Sequence, residues 1–169
     1  MMNDENIIPF SVQGYKKVVI VQGSFILASN VTNDTGQIII GSGGINGTFD
    51  LRFLSPNNLI TYNGQGLVTV KYKGLYTVHF HFAYESDDLQ ITLWRNGVEY
   101  VTWRNTLSHI PNAYHLLESQ TDIICDINDV LYFTCTGTSG GGGSSPFSIF
   151  GSGTTPYLSW GNISLLEAI

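Results

Sequence analysis

At 169 residues the chain is long enough for a single domain with a full hydrophobic core. Only 12% of its residues are charged and the net charge is −6, which excludes the basic face that a nucleic acid requires. No lysine–arginine cluster marks a membrane surface, and no apolar run approaches the roughly 18 residues that cross a bilayer, so membrane insertion is not expected. With 43% hydrophobic residues and so little charge, the surface must be neutral-polar or partly covered by other subunits.

Residues 1–9 are acidic and polar and are not expected to act as a signal peptide; 1–16 are expected as an N-terminal arm and 17–169 as one all-β domain. Strand signals, rich in β-branched and aromatic residues and separated by Gly, Asn, Pro and Ser, recur along it. They predict strands over 17–22, 24–29, 36–41, 48–54, 66–72, 75–84, 88–95, 98–104, 121–126, 130–136 and 158–166. Such spacing points to a sandwich or jelly roll. Helix signals are confined to 113–118, AYHLLE, a short scrap.

The run IIIGSGGINGTFD, residues 38–50, starts like a phosphate-binding glycine loop, but Asn46 stands where the third glycine is needed. The segment after it alternates as a strand and opens no helix, so a glycine turn is expected. Asp87 and Asp88 precede a strand and read as a solvated turn rather than a calcium site. Leu89–Arg95 and Val98–Arg104 flank Asn96-Gly97, the pair that a type I′ hairpin turn prefers. A simple register puts Ile91, Leu93, Val98 and Tyr100 on one face of this hairpin and Trp94, Val101 and Trp103 on the other, so both faces are expected to be covered.

Cys125 and Cys135 lie about a turn near Asn128-Asp129 and would not face each other in a simple hairpin. They are expected as buried free thiols, with a disulfide as the alternative. The absence of a disulfide framework fits a chain made in a reducing compartment. Residues 137–156 are rich in glycine and serine and predict a long mobile loop, on which Phe147, Ile149 and Phe150 are apolar side chains in search of a docking place. N-x-S/T occurs at Asn30, Asn33, Asn46 and Asn162, and Asn162 sits inside a predicted strand, a poor glycan acceptor.

The stretch GLYTVHFHFAYE, residues 74–85, carries the functional question. Its histidines, with Glu85, are similar to the first metal-binding motif of the cupin family. That resemblance implies a metal-binding enzyme using His79, His81 and Glu85. The opposite face carries Tyr76, Val78, Phe80 and Phe82, and each of these contributes roughly 1.5–3 kcal/mol if fully buried. Alternation along a strand puts the two sets on opposite sides, and a core needs the aromatic stripe more than it needs imidazoles. The histidines are therefore expected to point outward.

With that orientation the sequence resembles the tumour necrosis factor and complement-component-one-q globular heads. Lys73–Phe80, KGLYTVHF, is similar to their G-x-Y strand, and Val68–Gly74 to the segment that leads into it. Ile123–Phe133 resembles their turn motif, with Asn128 in place of glycine before Asp129. Trp160–Leu166 resembles their last strand, and Gly47–Asp50 has the expected upstream position. The resemblance implies a ten-strand, two-sheet jelly-roll sandwich that forms a homotrimer, without catalytic residues or cofactor. It implies an interface at the three-fold axis made by Thr77, His79 and His81, with Ile163 and Leu165 beside them. Three copies of the histidines would crowd like charge on acidification, so the trimer is expected to weaken as pH falls.

The function expected from this is a non-enzymatic structural or attachment protein of a virus or phage particle. Its partners would be other copies of itself and capsid proteins, in the virion or in host cytoplasm during assembly. The alternatives are the cupin-like enzyme and a ligand- or receptor-binding head of a non-viral protein.

Overall fold

The computed structural model describes residues 21–27, 31–33, 37–43, 49–53, 59–85, 88–106, 115–138, 147–151 and 159–169. The expected arm at 1–16, the start of the first predicted strand and the glycine run at 140–143 lie outside these residues.

Two antiparallel sheets make up the described chain, and no helix occurs among the described residues. The first sheet runs in the order β2 (Val31–Asn33), β12 (Phe147–Ile149), β7 (Gly74–Glu85), β13 (Trp160–Ala168), β1 (Val21–Leu27) and β4 (Phe49–Phe53). Strand β10 (His115–Cys125) pairs with the other edge of β7. The second sheet runs β5 (Ile60–Tyr62), β6 (Val68–Val70), β11 (Val130–Thr138), β8 (Asp88–Arg95) and β9 (Val98–Thr106), and β3 (Ile38–Ile39) also pairs with β11. Where ten strands are expected, the described residues hold thirteen strand segments, five of them three residues or fewer.

The aromatic stripe of β7 lies inside, as expected: Tyr76, Val78, Phe80, Phe82 and Tyr84 are all fully buried. Leu89, Ile91, Leu93, Leu131 and Phe133 face them from the second sheet. Phe133 meets Phe80 edge-on at 5.4 Å and Phe82 at 6.0 Å between ring centroids. Both cysteines are buried and free. Cys125 ends a strand of the first sheet and Cys135 lies within a strand of the second, so they are not partners in one hairpin. Burial pushes the Cys125 thiol up to about 11 and raises Cys135 as well, which keeps both protonated and unreactive.

Three expectations are corrected. Of the scrap at 113–118, residues 113 and 114 lie outside the described residues and 115–118 are strand, because His115 begins a strand that pairs with β7 over its whole length, from His115↔Tyr84 to Cys125↔Gly74. Eleven residues of ladder outweigh the weak helix propensity of Leu-Leu-Glu. The stretch 137–156 is not one loop, since Gly137 and Thr138 end β11 and Phe147–Ile149 is a strand, with Ile149 fully buried.

In the hairpin, Asn96 and Gly97 both have positive φ, as the turn demands. A bulge then shifts the register: Trp94 pairs with Glu99, but Leu93 pairs with Val101 and Ile91 with Trp103. The extra residue turns Val101 and Trp103 toward the core, while Val98 and Tyr100 stay exposed.

The turn motif around Asp129 has a structural reason. Its carboxylate accepts hydrogen bonds from Arg95 Nε at 2.6 Å, Asn96 Nδ2 at 2.5 Å and the Asp126 backbone N–H at 2.8 Å. Asn128 takes the left-handed conformation, φ 70°, in the place where the resemblance has glycine. Burial alone would raise the Asp129 carboxyl, but the bonds from Asn96, Asp126 and Arg95 outweigh it and hold it below the usual range. Its contribution is therefore fully present above the unfolded carboxylate value, about 3.9, and is lost as pH falls through the lower folded value.

Gly74 is required for a different reason: a Cβ there would collide with the Glu167 carbonyl and the Leu165 side chain, where β13 shifts register against β7. Chemical denaturation should show Asp129→Ala less stable than wild type by about 2–3 kcal/mol, since Asn96 and the Asp126 N–H lose their acceptor and Arg95 keeps only its 3.5 Å contact with Asp126. Gly74→Ala should cost about 1–3 kcal/mol through backbone displacement. A loss below a few tenths would mean that Asp129 does not tie the two sheets, or that Gly74 does not set the packing of β13 on β7.

Candidate functional site

The outward face of the first sheet gathers the side chains that the core does not use. Along β7 these are Leu75, Thr77, His79 and His81, which alternate with the buried stripe. Along β10 they are Leu116, Glu118, Gln120, Asp122 and Ile124, all exposed. Register sets Glu118 beside His81 on one edge and Trp160 beside His81 on the other.

Glu118 holds both imidazoles. Its Oε1 lies 2.9 Å from His79 Nε2 and its Oε2 lies 3.3 Å from His81 Nδ1. Trp160 covers them from the other flank, stacked parallel on His81 within 5° at 5.5 Å and edge-on to His79 at 4.9 Å. The histidine side chains are consequently only 24% and 19% exposed, although they sit on an outer face. The hydrogen bond from His79, and then that from His81, holds the Glu118 carboxyl below the usual carboxylate range. Lower on the same face, the Thr77 hydroxyl donates to Asp122.

Of the residues expected at the interface, Thr77, His79 and His81 share this face. Ile163 and Leu165 do not: at 1% and 2% exposure they belong to the core. The reason is parity. Trp160 opposite His81 points outward, so Ile163 and Leu165, opposite Val78 and Tyr76, point inward. The β13 residues on the outer face are Trp160, Asn162 and Ser164 and, past the register shift after Leu165, Glu167, which pairs with the outward Leu75.

The metal triad of His79, His81 and Glu85 is also corrected. Glu85 stands four residues beyond His81, about 13 Å along an extended strand, and Glu118 from the neighbouring strand takes the position beside the imidazoles. Among the described residues no group of three or more His, Cys, Asp or Glu is arranged to hold a metal.

Glu118 and Trp160 are the site residues that sequence reasoning did not assign. Glu118 lay in the stretch read as helical, and Trp160 was noted only as part of the last-strand motif. The available signal was the alternation of Leu116, Glu118, Gln120 and Asp122, which is that of a strand.

No protein-family model matches the chain, and no curated protein sequence matches it. Solved structures do. Eiger TNF from S. frugiperda is similar at 13% identity and a TM-score of 0.60, over 89% of this chain and 94% of that one. Murine APRIL at pH 5.0 is similar at 10% identity and a TM-score of 0.62, over 87% and 99%. The globular domain of zebrafish complement 1qA is similar at 17% identity and a TM-score of 0.57, over 89% and 99%. The chain has a tumour necrosis factor and complement 1q-like jelly-roll fold.

Because no group of three or more His, Cys, Asp or Glu among the described residues is arranged to hold a metal, zinc equilibration followed by desalting and elemental analysis should leave the metal substoichiometric. One metal per chain, lost in His79→Gln, would restore the metalloprotein alternative.

Proposed function

We propose that this protein is a non-enzymatic head that assembles as a homotrimer through the outer face of its first sheet and serves as a structural or attachment component of a virus or phage particle. The fold likeness to tumour necrosis factor and complement 1q heads supports a trimeric binding or structural role. The observation that carries the interface is the outer face of β7, β10 and β13. There Trp160 and two half-covered histidines lie between Leu116 and Ile124, which are 59% and 55% exposed in the single chain. Large apolar side chains on a sheet face are the expected mark of a surface that another subunit covers. Assignment to a particle is the further step; a chain poor in charge, with two buried free thiols, fits a component packed against neighbours in a reducing compartment.

Glu118 revises the expected response to acid. The two imidazoles share one carboxylate in the same subunit, Glu118, at 2.9 and 3.3 Å, so it can offset one positive charge per subunit. The sensitive group becomes Glu118, whose folded pKa is depressed. Its contribution is present above the ordinary carboxylate value and is lost as pH falls through the depressed one. Trimer stability should therefore fall in the carboxylate range, as Glu118 takes up its proton.

Light scattering at micromolar concentration should give three times the 18.6 kDa chain mass. His81→Glu, which sets a second carboxylate against Glu118, should weaken assembly by tenfold or more, about 1.4 kcal/mol. A wild-type monomer would sink the trimer, and stability that stays unchanged down through the carboxylate range would contradict the role given to Glu118. Mass spectrometry of purified particles checks the last step. Absence of the chain from every particle fraction would remove the virion assignment while leaving the trimer intact.

A further inference from the structure

With the first sheet covered in the trimer, the outer face of the second sheet is the one left to solvent, and it has a composition of its own. Register aligns its outward residues in three rows across β9, β8 and β11: Glu99–Trp94–Tyr132, then Thr102–Thr92–Thr134, then Arg104–Gln90–Thr136. Trp94 and Tyr132 are parallel within 2°, with ring centroids 5.9 Å apart, and both are half-buried.

The indole is held in place. Its Nε1–H donates to Thr134 Oγ1 at 2.7 Å, one row away, and Gln37 Nε2 donates to the same oxygen at 2.8 Å. Thr134 is thereby only 4% exposed, although it points outward. Thr92 and Thr102 share a hydrogen bond at 2.8 Å, and Thr102 donates to Glu99 Oε1 at 2.9 Å. A cross-strand aromatic pair can serve the sheet alone. Here, however, one ring is fixed over a bed of hydroxyls, which removes the rotamer entropy that a binding residue otherwise loses.

The surroundings choose the ligand. Of the nine residues in the three rows, only Glu99 and Arg104 are charged, and Arg104 is already paired in a two-point contact with Asp88. The remainder are hydroxyls, a carboxamide and two aromatic rings. Gln37 and Glu99 each bond the threonine bed through one side-chain atom and retain a second polar atom. Parallel apolar ring faces bordered by neutral hydrogen-bonding groups match a molecule that has an apolar C–H face and a rim of hydroxyls. An anion is disfavoured by Glu99, and a cation has no second carboxylate free to meet it.

We propose that the Trp94–Tyr132 pair on the second sheet is a binding platform for a neutral pyranose sugar, stacked on the rings with its hydroxyls directed to Gln37 and Glu99. Nothing in this site needs the first-sheet interface, so it stands or falls apart from the trimer.

The test is an NMR titration of the full chain with methyl glucoside, galactoside, mannoside, N-acetylglucosaminide and sialoside, read at the three indole N–H signals. The Trp94 signal should shift saturably with at least one neutral sugar while those of Trp103 and Trp160 stay still. For a ligand of this size the dissociation constant should be on the order of millimolar. Trp94→Ala and Tyr132→Ala should each weaken it at least tenfold. Trp94→Phe, which keeps a ring but loses the bond to Thr134, should fall between them and wild type. Unchanged thermal melting of any one of the three variants is enough to separate lost binding from lost fold. The proposal is overturned if no neutral sugar shifts Trp94 up to about 100 mM, far above the expected constant. It is also overturned if the sialoside binds more tightly than every neutral sugar, or if the folded variants bind as wild type does.

Discussion

Strand β7 is bonded along both edges, to β10 on one side and to β13 and then β12 on the other, so its side-chain alternation is imposed on its neighbours. Five large side chains, Tyr76, Val78, Phe80, Phe82 and Tyr84, go to the inside together. A slip of one residue would bring them to solvent and put Thr77, His79 and His81 in the core. At about 2 kcal/mol each the loss would be near 10 kcal/mol, comparable to the whole net stability of a domain. The outward position of the histidines is therefore a consequence of the aromatic stripe. Whatever the histidines do, they do it because the core has claimed the other face.

The two sheets are tied at one end by polar contacts rather than by more apolar surface. Asp129 lies where the chain leaves β10 of the first sheet for β11 of the second, and it binds Arg95 and Asn96 of the β8–β9 turn. Asn96 answers by accepting from the Val130 backbone N–H at 2.8 Å. A carboxylate so enclosed is tolerated only because donors surround it. This gives a physical content to a motif that the sequence shows only as Asn128-Asp129: one residue that can turn left-handed, followed by one that can fasten two turns together.

What the sequence disclosed follows from how local each constraint is. The stripe on β7 and the Asn96-Gly97 turn are written in adjacent residues, and both were legible. The bulge between Trp94 and Leu93 was not, because a bulge depends on which partner residue is skipped, and that decides whether Val101 and Trp103 face the core. Strand β10 was half missed, because His115–Glu118 has side chains acceptable to a helix and becomes a strand only through β7. Ile163 and Leu165 were placed on the wrong side because parity along β13 is fixed by pairing across the sheet. For the same reason Glu118, 37 residues from His81 in sequence, could not be joined to it from spacing alone.

The scarcity of charge also takes on a structural sense. Each sheet has an outer face, and neither is the uniform charged surface of an ordinary monomer. On the first, the carboxylates of Glu118 and Asp122 already accept hydrogen bonds from histidine and threonine, so part of what a covering neighbour would have to supply is in place. On the second, the threonines bond one another and the indole is fastened above them, which leaves rings and neutral polar groups. Burying a bare charge at an interface is costly, and burying one whose partner is already in place costs less. Of the two, the first is the better suited to lasting burial, since its apolar residues at Leu116 and Ile124 frame a centre where Thr77, His79 and His81 are already bonded to Asp122 and Glu118. The second keeps unshared polar atoms at Gln37 and Glu99, which makes it a surface for reversible contact with something that carries hydroxyls of its own.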